Sequence, residues 1–312
     1  MSDTARVART ARRLLLLIAT MAVVGVLSYV AFVLTPRGQR FDFMAFEGRK
    51  ATDLGVRRAL TSLMRTITAT GVFAGCLSLL VAAARRGRWW MGAVAGMTVG
   101  AAVALAELLK FVLTRPHLIR FVEAPSENTF PSGHSTGVMA LVLVWIWVAP
   151  RCGRNPRVMP CLVGLVAWVT AMVGSGWHRP SDVLGGLALA TVVAAATCLG
   201  FELLGSTPGP DHPPQGGFEA SSPILARSDE PRPPIEQPAN ESPSVGEVAA
   251  AGVGAVLASG MFVMSILNQT SDPRHSLGTY LVMVLLCNGI AALAVTLSWW
   301  GTGGSRPRPT AL

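Results

Sequence analysis

Charge is scarce in this chain. Only 14% of its 312 residues are Asp, Glu, Lys or Arg, where a soluble domain carries about 25%. Lysine is nearly missing: Lys50 and Lys110 are the only two. Acids are outnumbered, 17 against 26 bases, for a formal charge of +9. A surplus of this size suggests nucleic-acid binding, but the bases sit at the ends of apolar blocks, where membrane topology places them. Nucleic acid is therefore excluded as a partner. The five cysteines, Cys76, Cys152, Cys161, Cys198 and Cys287, include no C-x-x-C pair, and four lie within apolar runs. They read as small buried hydrophobes, not as metal ligands or a disulfide framework.

Long apolar runs are what the chain has in abundance. Blocks near 14–34, 59–84, 91–113, 134–150, 158–176, 182–204, 248–268 and 278–300 approach or reach the roughly 20 residues a helix needs to cross a bilayer. The fold class expected is all-α, a polytopic transmembrane helix bundle with six helices up to residue 204 and two more at the C-terminus. Between them, residues 205–247 are rich in Pro, Gly, Ser and acids, as in Pro231-Arg232-Pro233-Pro234, and read as a disordered linker. The organisation expected is thus 1–204, 205–247 and 248–312. Arg6, Arg9, Arg12 and Arg13 before the first block, with Trp89, Trp90, Trp299 and Trp300 at one interface, place the N-terminus inside a cell membrane. Residues 36–58 are then an outer loop. Arg65 falls within a span and needs a partner or a place near the interface.

Three short stretches carry chemistry: Lys110 to Arg115-Pro116, Pro131-Ser132-Gly133-His134, and His178-Arg179-Pro180-Ser181-Asp182. An outer loop joins the first two, and two crossings separate the second from the third. All three therefore end at one membrane face, the extracytoplasmic one in this orientation. Pro-Ser-Gly-His precedes an apolar run and should start a helix, whose unpaired N–H groups and dipole suit a phosphate oxygen. Gly133 lets the backbone come close, with Ser132 beside it. Lys110 and Arg115 can balance phosphoryl charge. A histidine such as His178 can attack phosphorus when a carboxylate such as Asp182 orients its far nitrogen, while His134 protonates the leaving oxygen. No metal or other cofactor enters this scheme. Glu107, one turn before Lys110, should pair with it.

These stretches resemble the signature of the type 2 phosphatidic acid phosphatase (PAP2) superfamily, whose motifs run K-x6-R-P, P-S-G-H and S-R-x5-H-x3-D. The resemblance implies a metal-independent hydrolase of lipid phosphates or pyrophosphates, with His178 as the nucleophile that becomes a phosphohistidine, His134 as the acid, and Asp182 orienting His178. Two motifs depart from the pattern. Four residues, not six, separate Lys110 from Arg115-Pro116, and the third motif's Ser-Arg pair falls on Ala171 and Met172. Arg179 or Arg120 is then the candidate substitute for the missing phosphate-binding arginine.

The function expected is hydrolysis of a phosphate monoester or pyrophosphate on a lipid held in the bilayer. A catalytically degenerate protein that binds lipid phosphate or partners is the alternative, and a transporter a third reading. Gly252, Gly254 and Ala258 offer small-residue contacts for a homo-oligomer.

Overall fold

The computed structural model describes residues 3–51, 53–85, 89–119, 128–148, 158–204 and 276–301. The span expected at 248–268, the linker at 205–247, Arg120 and the small residues Gly252, Gly254 and Ala258 lie outside the described residues.

Among the described residues every regular element is helical: α1 (Asp3–Phe32), α2 (Pro36–Gly48), α3 (Leu54–Ala84), α4 (Trp89–Val112), α5 (Gly133–Val148), α6 (Val158–Ser175), α7 (Pro180–Leu203) and α8 (Ser276–Gly301), with a 3-10 turn at Arg49–Ala51. Among the described residues, four stretches are long and apolar enough to cross a membrane: Val7–Phe32, Trp89–Val112, Pro180–Leu203 and Gly278–Val295. The protein is an all-helical, multi-pass membrane bundle. Its outer surface agrees, since Leu16, Val26, Leu27, Phe73 and Phe111 are all exposed, Phe111 by 86%. Large apolar side chains turned outward in such number would be costly in water and are at home in lipid.

Shorter apolar stretches occupy α3, α5 and α6, at Thr70–Ala84, Gly133–Trp147 and Cys161–Ser175. Pro131 and Ser132 of the second motif lead into α5 as non-helical backbone, which is tolerated in a membrane bundle when protein satisfies its polar groups. Here the Ser132 N–H donates to the Asp182 carbonyl at 2.9 Å.

The central helix is α7, which packs against α1, α4, α5 and α8. Its Gly185, Gly186, Ala188, Ala190, Ala194 and Ala195 are buried, and small side chains let neighbouring helices approach closely without polar glue. At Gly186 an added Cβ would stand 2.6 Å from the Ser132 carbonyl oxygen, so only glycine lets the second motif lie flush on α7.

Helix α2 falls where a loop is expected from sequence. Thr35 caps it, accepting from the Gly38 N–H at 3.0 Å, and Pro36 takes the first turn. Gln39, Asp42, Ala45 and Gly48 form its buried stripe, against α8, α1 and α7. The stripe is only partly apolar, which is why a hydropathy reading passes over it. Helix α8 joins the same core through Tyr280, Met283, Val284 and Cys287. Its Asn288 donates to Thr170 Oγ1 on α6 at 3.0 Å.

Candidate active site

The site lies where the C-terminal end of α4, the N-terminal end of α5 and the turn from α6 into α7 meet. All three motif stretches converge there. At its centre His134 Nδ1 and His178 Nε2 stand 3.2 Å apart, within hydrogen-bond distance. The two rings differ in exposure. His178 is buried at 9%, while His134 is exposed and rests edge-on against Trp177 with ring centroids 5.3 Å apart.

Behind His178 sits Asp182, completely buried. Its Oδ2 is 3.9 Å from His178 Nδ1, beyond hydrogen-bond length, and that nitrogen has no other partner among the described residues. The carboxylate is otherwise fully engaged. Arg115 Nη1 donates to Oδ1 at 2.9 Å, while Thr129 Oγ1 and the Arg179 N–H donate to Oδ2 at 2.6 and 3.2 Å. Asp182 thus carries the charge that faces His178 and also locks α7 to the loops before α5.

Arg115 is 6% exposed and bridges two buried carboxylates, since its Nη2 also donates to Asp42 Oδ2 at 3.1 Å. Asp42 in turn accepts from the Ser181 N–H and hydroxyl at 3.0 and 2.7 Å. Burial and the nearby Asp182 charge push the Asp42 carboxyl up to about 6, while Arg115 pulls it down. The structure therefore places Arg115 in an internal ion-pair chain, with its guanidinium already occupied by two carboxylates.

Ser132 needs a similar correction. Its N–H is taken by the Asp182 carbonyl, and its hydroxyl accepts from the Ser135 N–H at 3.3 Å as the cap of α5. The N–H groups of Gly133 and His134, first in the helix, have no intrahelical acceptor. Lys110 pairs with Glu107 at 2.7 Å, as their spacing predicts. This pair lies over the start of α5, for a Cβ on Gly133 would be 2.5 Å from Glu107 Oε1 and 3.7 Å from Lys110 Nζ. Arg179, half-buried, makes no side-chain hydrogen bond or ion pair among the described residues, and its Nε is buried without a partner. Met172, where the third motif's arginine would fall, is fully buried in the core and does not open to the site.

Sequence reasoning missed five residues that build this centre: Asp42, Gln39, Thr129, Asn128 as a clamp, and Tyr29. Gln39 Nε2 donates to the Val33 and Pro116 carbonyls, each at 2.6 Å. Asn128 donates to Leu113 O at 2.8 Å, and Tyr29 to Thr114 O at 2.6 Å. Together they hold the turn that presents Arg115. The available signals were the Thr35-Pro36 helix start and Asp42 as the one acid between residues 35 and 46, flanked by Phe41 and Phe43.

Comparison with known proteins places the three motif stretches within one family match. The PAP2 superfamily matches residues 91–204, which hold all three motif stretches. Decaprenylphosphoryl-5-phosphoribose phosphatases of two Mycobacterium tuberculosis strains, CDC 1551 / Oshkosh and ATCC 25618 / H37Rv, are each 32% identical over 120 residues. That match covers 37% of this chain and 63% of each relative. No solved structure matches the chain. Residues 91–204, with their histidine pair and the carboxylate behind it, match the PAP2 superfamily.

Proposed function

We propose that the protein is a membrane phosphatase that removes a phosphoryl group from a lipid-linked phosphate or pyrophosphate through a phosphohistidine on His178. The observation that carries this reading is the 3.2 Å pair of His134 and His178 at the end of the bundle, with Asp182 behind one ring and exposure on the other. A proton on His178 Nδ1, facing Asp182, leaves the Nε2 lone pair free to attack phosphorus. A shift of about 1 Å in the ring brings Nδ1 within hydrogen-bond reach of Oδ2.

In the first step a bond forms between Nε2 and phosphorus as the bond to the leaving oxygen breaks, and His134 gives that oxygen its proton. In the second, water attacks the phosphohistidine while His134, now neutral, takes the water's proton, and His178 is released with inorganic phosphate. The N–H groups of Gly133 and His134, with Lys110 and Arg179, hold the phosphoryl oxygens. Arg115 acts on the site through Asp182. The lipid tail stays in the bilayer and the head group enters from the extracytoplasmic face. The activity named for the mycobacterial relatives makes a polyprenyl-linked sugar phosphate a natural member of the substrate panel.

The test is phosphate release from lipid phosphates by the purified, detergent-solubilised full chain, in EDTA, beside His178→Ala. Release that persists in EDTA and vanishes in the variant is the expected result. Release equal in both proteins refutes the histidine mechanism. No release from either, with both shown to be folded, favours a phosphate-binding descendant without turnover.

A further inference from the structure

A second cluster of cations lies outside this centre. Arg49, Arg57, Arg58 and Arg65, with Ser62 and Ser175 among the other walls, line a pocket of about 420 Å³. None of the proposed catalytic residues lines it. Arg57, Arg58 and Arg65 recur along the first three turns of α3, so their guanidinium groups converge on one side. Arg49 reaches across from the turn after α2. Among the described residues, Arg49 alone of the four has a carboxylate paired with it, Glu47 at 3.3 Å. Arg57, Arg58 and Arg65 make no ion pair among the described residues, and Arg57 Nε is buried with no hydrogen-bond partner among them.

Four like charges around one cavity repel each other, and a buried donor left unsatisfied adds a further cost. An anion in the pocket would relieve both. Guanidinium forks suit the oxygens of a phosphate group, which they bind in pairs of parallel hydrogen bonds. The level is also right for a head group. Arg57 and Arg58 stand just before the apolar block that begins near residue 59, and Arg65 lies only about two turns into it, so the pocket is near the polar end of α3. It also adjoins the active site, because Ser175 ends α6 three residues before His178, and Arg49 packs over Gly176.

We propose that this pocket is a second anion site, which binds a phosphate group beside the catalytic centre without hydrolysing it. The group could be a lipid head group or a free phosphate, and the two are separable by experiment. The test is arginine modification by phenylglyoxal in the folded full chain, read by mass spectrometry at each site. The probes are dioctanoyl phosphatidic acid, inorganic phosphate and pyrophosphate at matched ionic strength, with chloride and phosphatidylcholine as controls. Modification of Arg58 and Arg65 should fall at least several-fold with a phosphate-bearing probe, while the exposed Arg40 and Arg85 should react unchanged. Protection by phosphatidic acid alone assigns a lipid head group, and equal protection by inorganic phosphate or pyrophosphate assigns a free anion. Unchanged modification with every probe, or an equal fall at Arg40 and Arg85, overturns the proposal. The same protection is expected in His178→Ala, so this result stands or falls apart from turnover.

Discussion

Arg115 and the arginines of α3 meet the same electrostatic problem in opposite ways. Arg115 is buried and finds both partners inside the protein, Asp42 from α2 and Asp182 from α7. Arg57, Arg58 and Arg65 converge on a pocket with no acid among the described residues. The difference teaches where each region looks for its counter-charge. The first is closed and fixes the geometry around His178. The second is open and leaves its compensation to something that binds.

The largest effects should come from breaking the closed network. Arg115→Leu leaves two buried carboxylates facing each other with no cation between them. Removing one partner of a buried ion pair typically costs ~3–5 kcal/mol. The variant should show a sharply lower thermal midpoint in detergent, followed by size-exclusion chromatography after heating. Met172→Arg should be comparably harmful. It restores the third motif's arginine on paper, yet Met172 is fully buried among apolar neighbours, so the new charge would be unpaired in the core. Loss of folded protein is expected, and a gain in phosphate release would show that the position opens to the site.

These cases also show what the sequence could and could not convey. The apolar blocks predicted helices close to α1, α3, α4, α5, α6, α7 and α8, because membrane spans write themselves as long hydrophobic runs. The convergence of the three motif stretches followed from counting crossings. The role of Arg115 did not, since an arginine three residues after a helix end looks the same whether it faces solvent or a buried acid. Its partner Asp42 sits 73 residues earlier on a helix whose buried stripe is half polar. Hydropathy cannot see such a helix, and only the tertiary contact gives Asp42 its meaning. Arg65 was legible as a charge in need of a partner, but not as one wall of a pocket.

A smaller effect, and a pH-dependent one, is expected at Asp42. Its carboxyl rises from the ordinary 3.8 to about 6, so the folded protein holds that proton more tightly than the unfolded chain does. Between those values the native state binds more protons, and stability therefore falls as pH rises from about 4 to about 6. Above that window the cost is constant. Asp42→Asn removes this titration along with the charge. Between pH 4.5 and pH 7 the wild type should lose on the order of 2 kcal/mol relative to the variant. Thermal midpoints of both proteins at the two pH values test it. A gap that does not change with pH would mean that Asp42 stays ionised throughout, with Arg115 outweighing burial.

The smallest effect is expected where the charges are most numerous. Arg58 and Arg65 are exposed and carry no ion pair among the described residues, so Arg58→Gln with Arg65→Gln removes no attraction. It removes repulsion instead. Surface substitutions of this kind usually change stability by less than about 0.5 kcal/mol, and here the change should be neutral or slightly favourable in chloride. Adding phosphate or phosphatidic acid should then separate the proteins. Whatever binds only the native state raises its stability, so the wild type should gain thermal midpoint with the anion while the variant gains less. The order of the two curves is the informative result. A double variant that is destabilised without any anion would mean that these arginines have partners inside the protein, and the contrast with Arg115 would disappear.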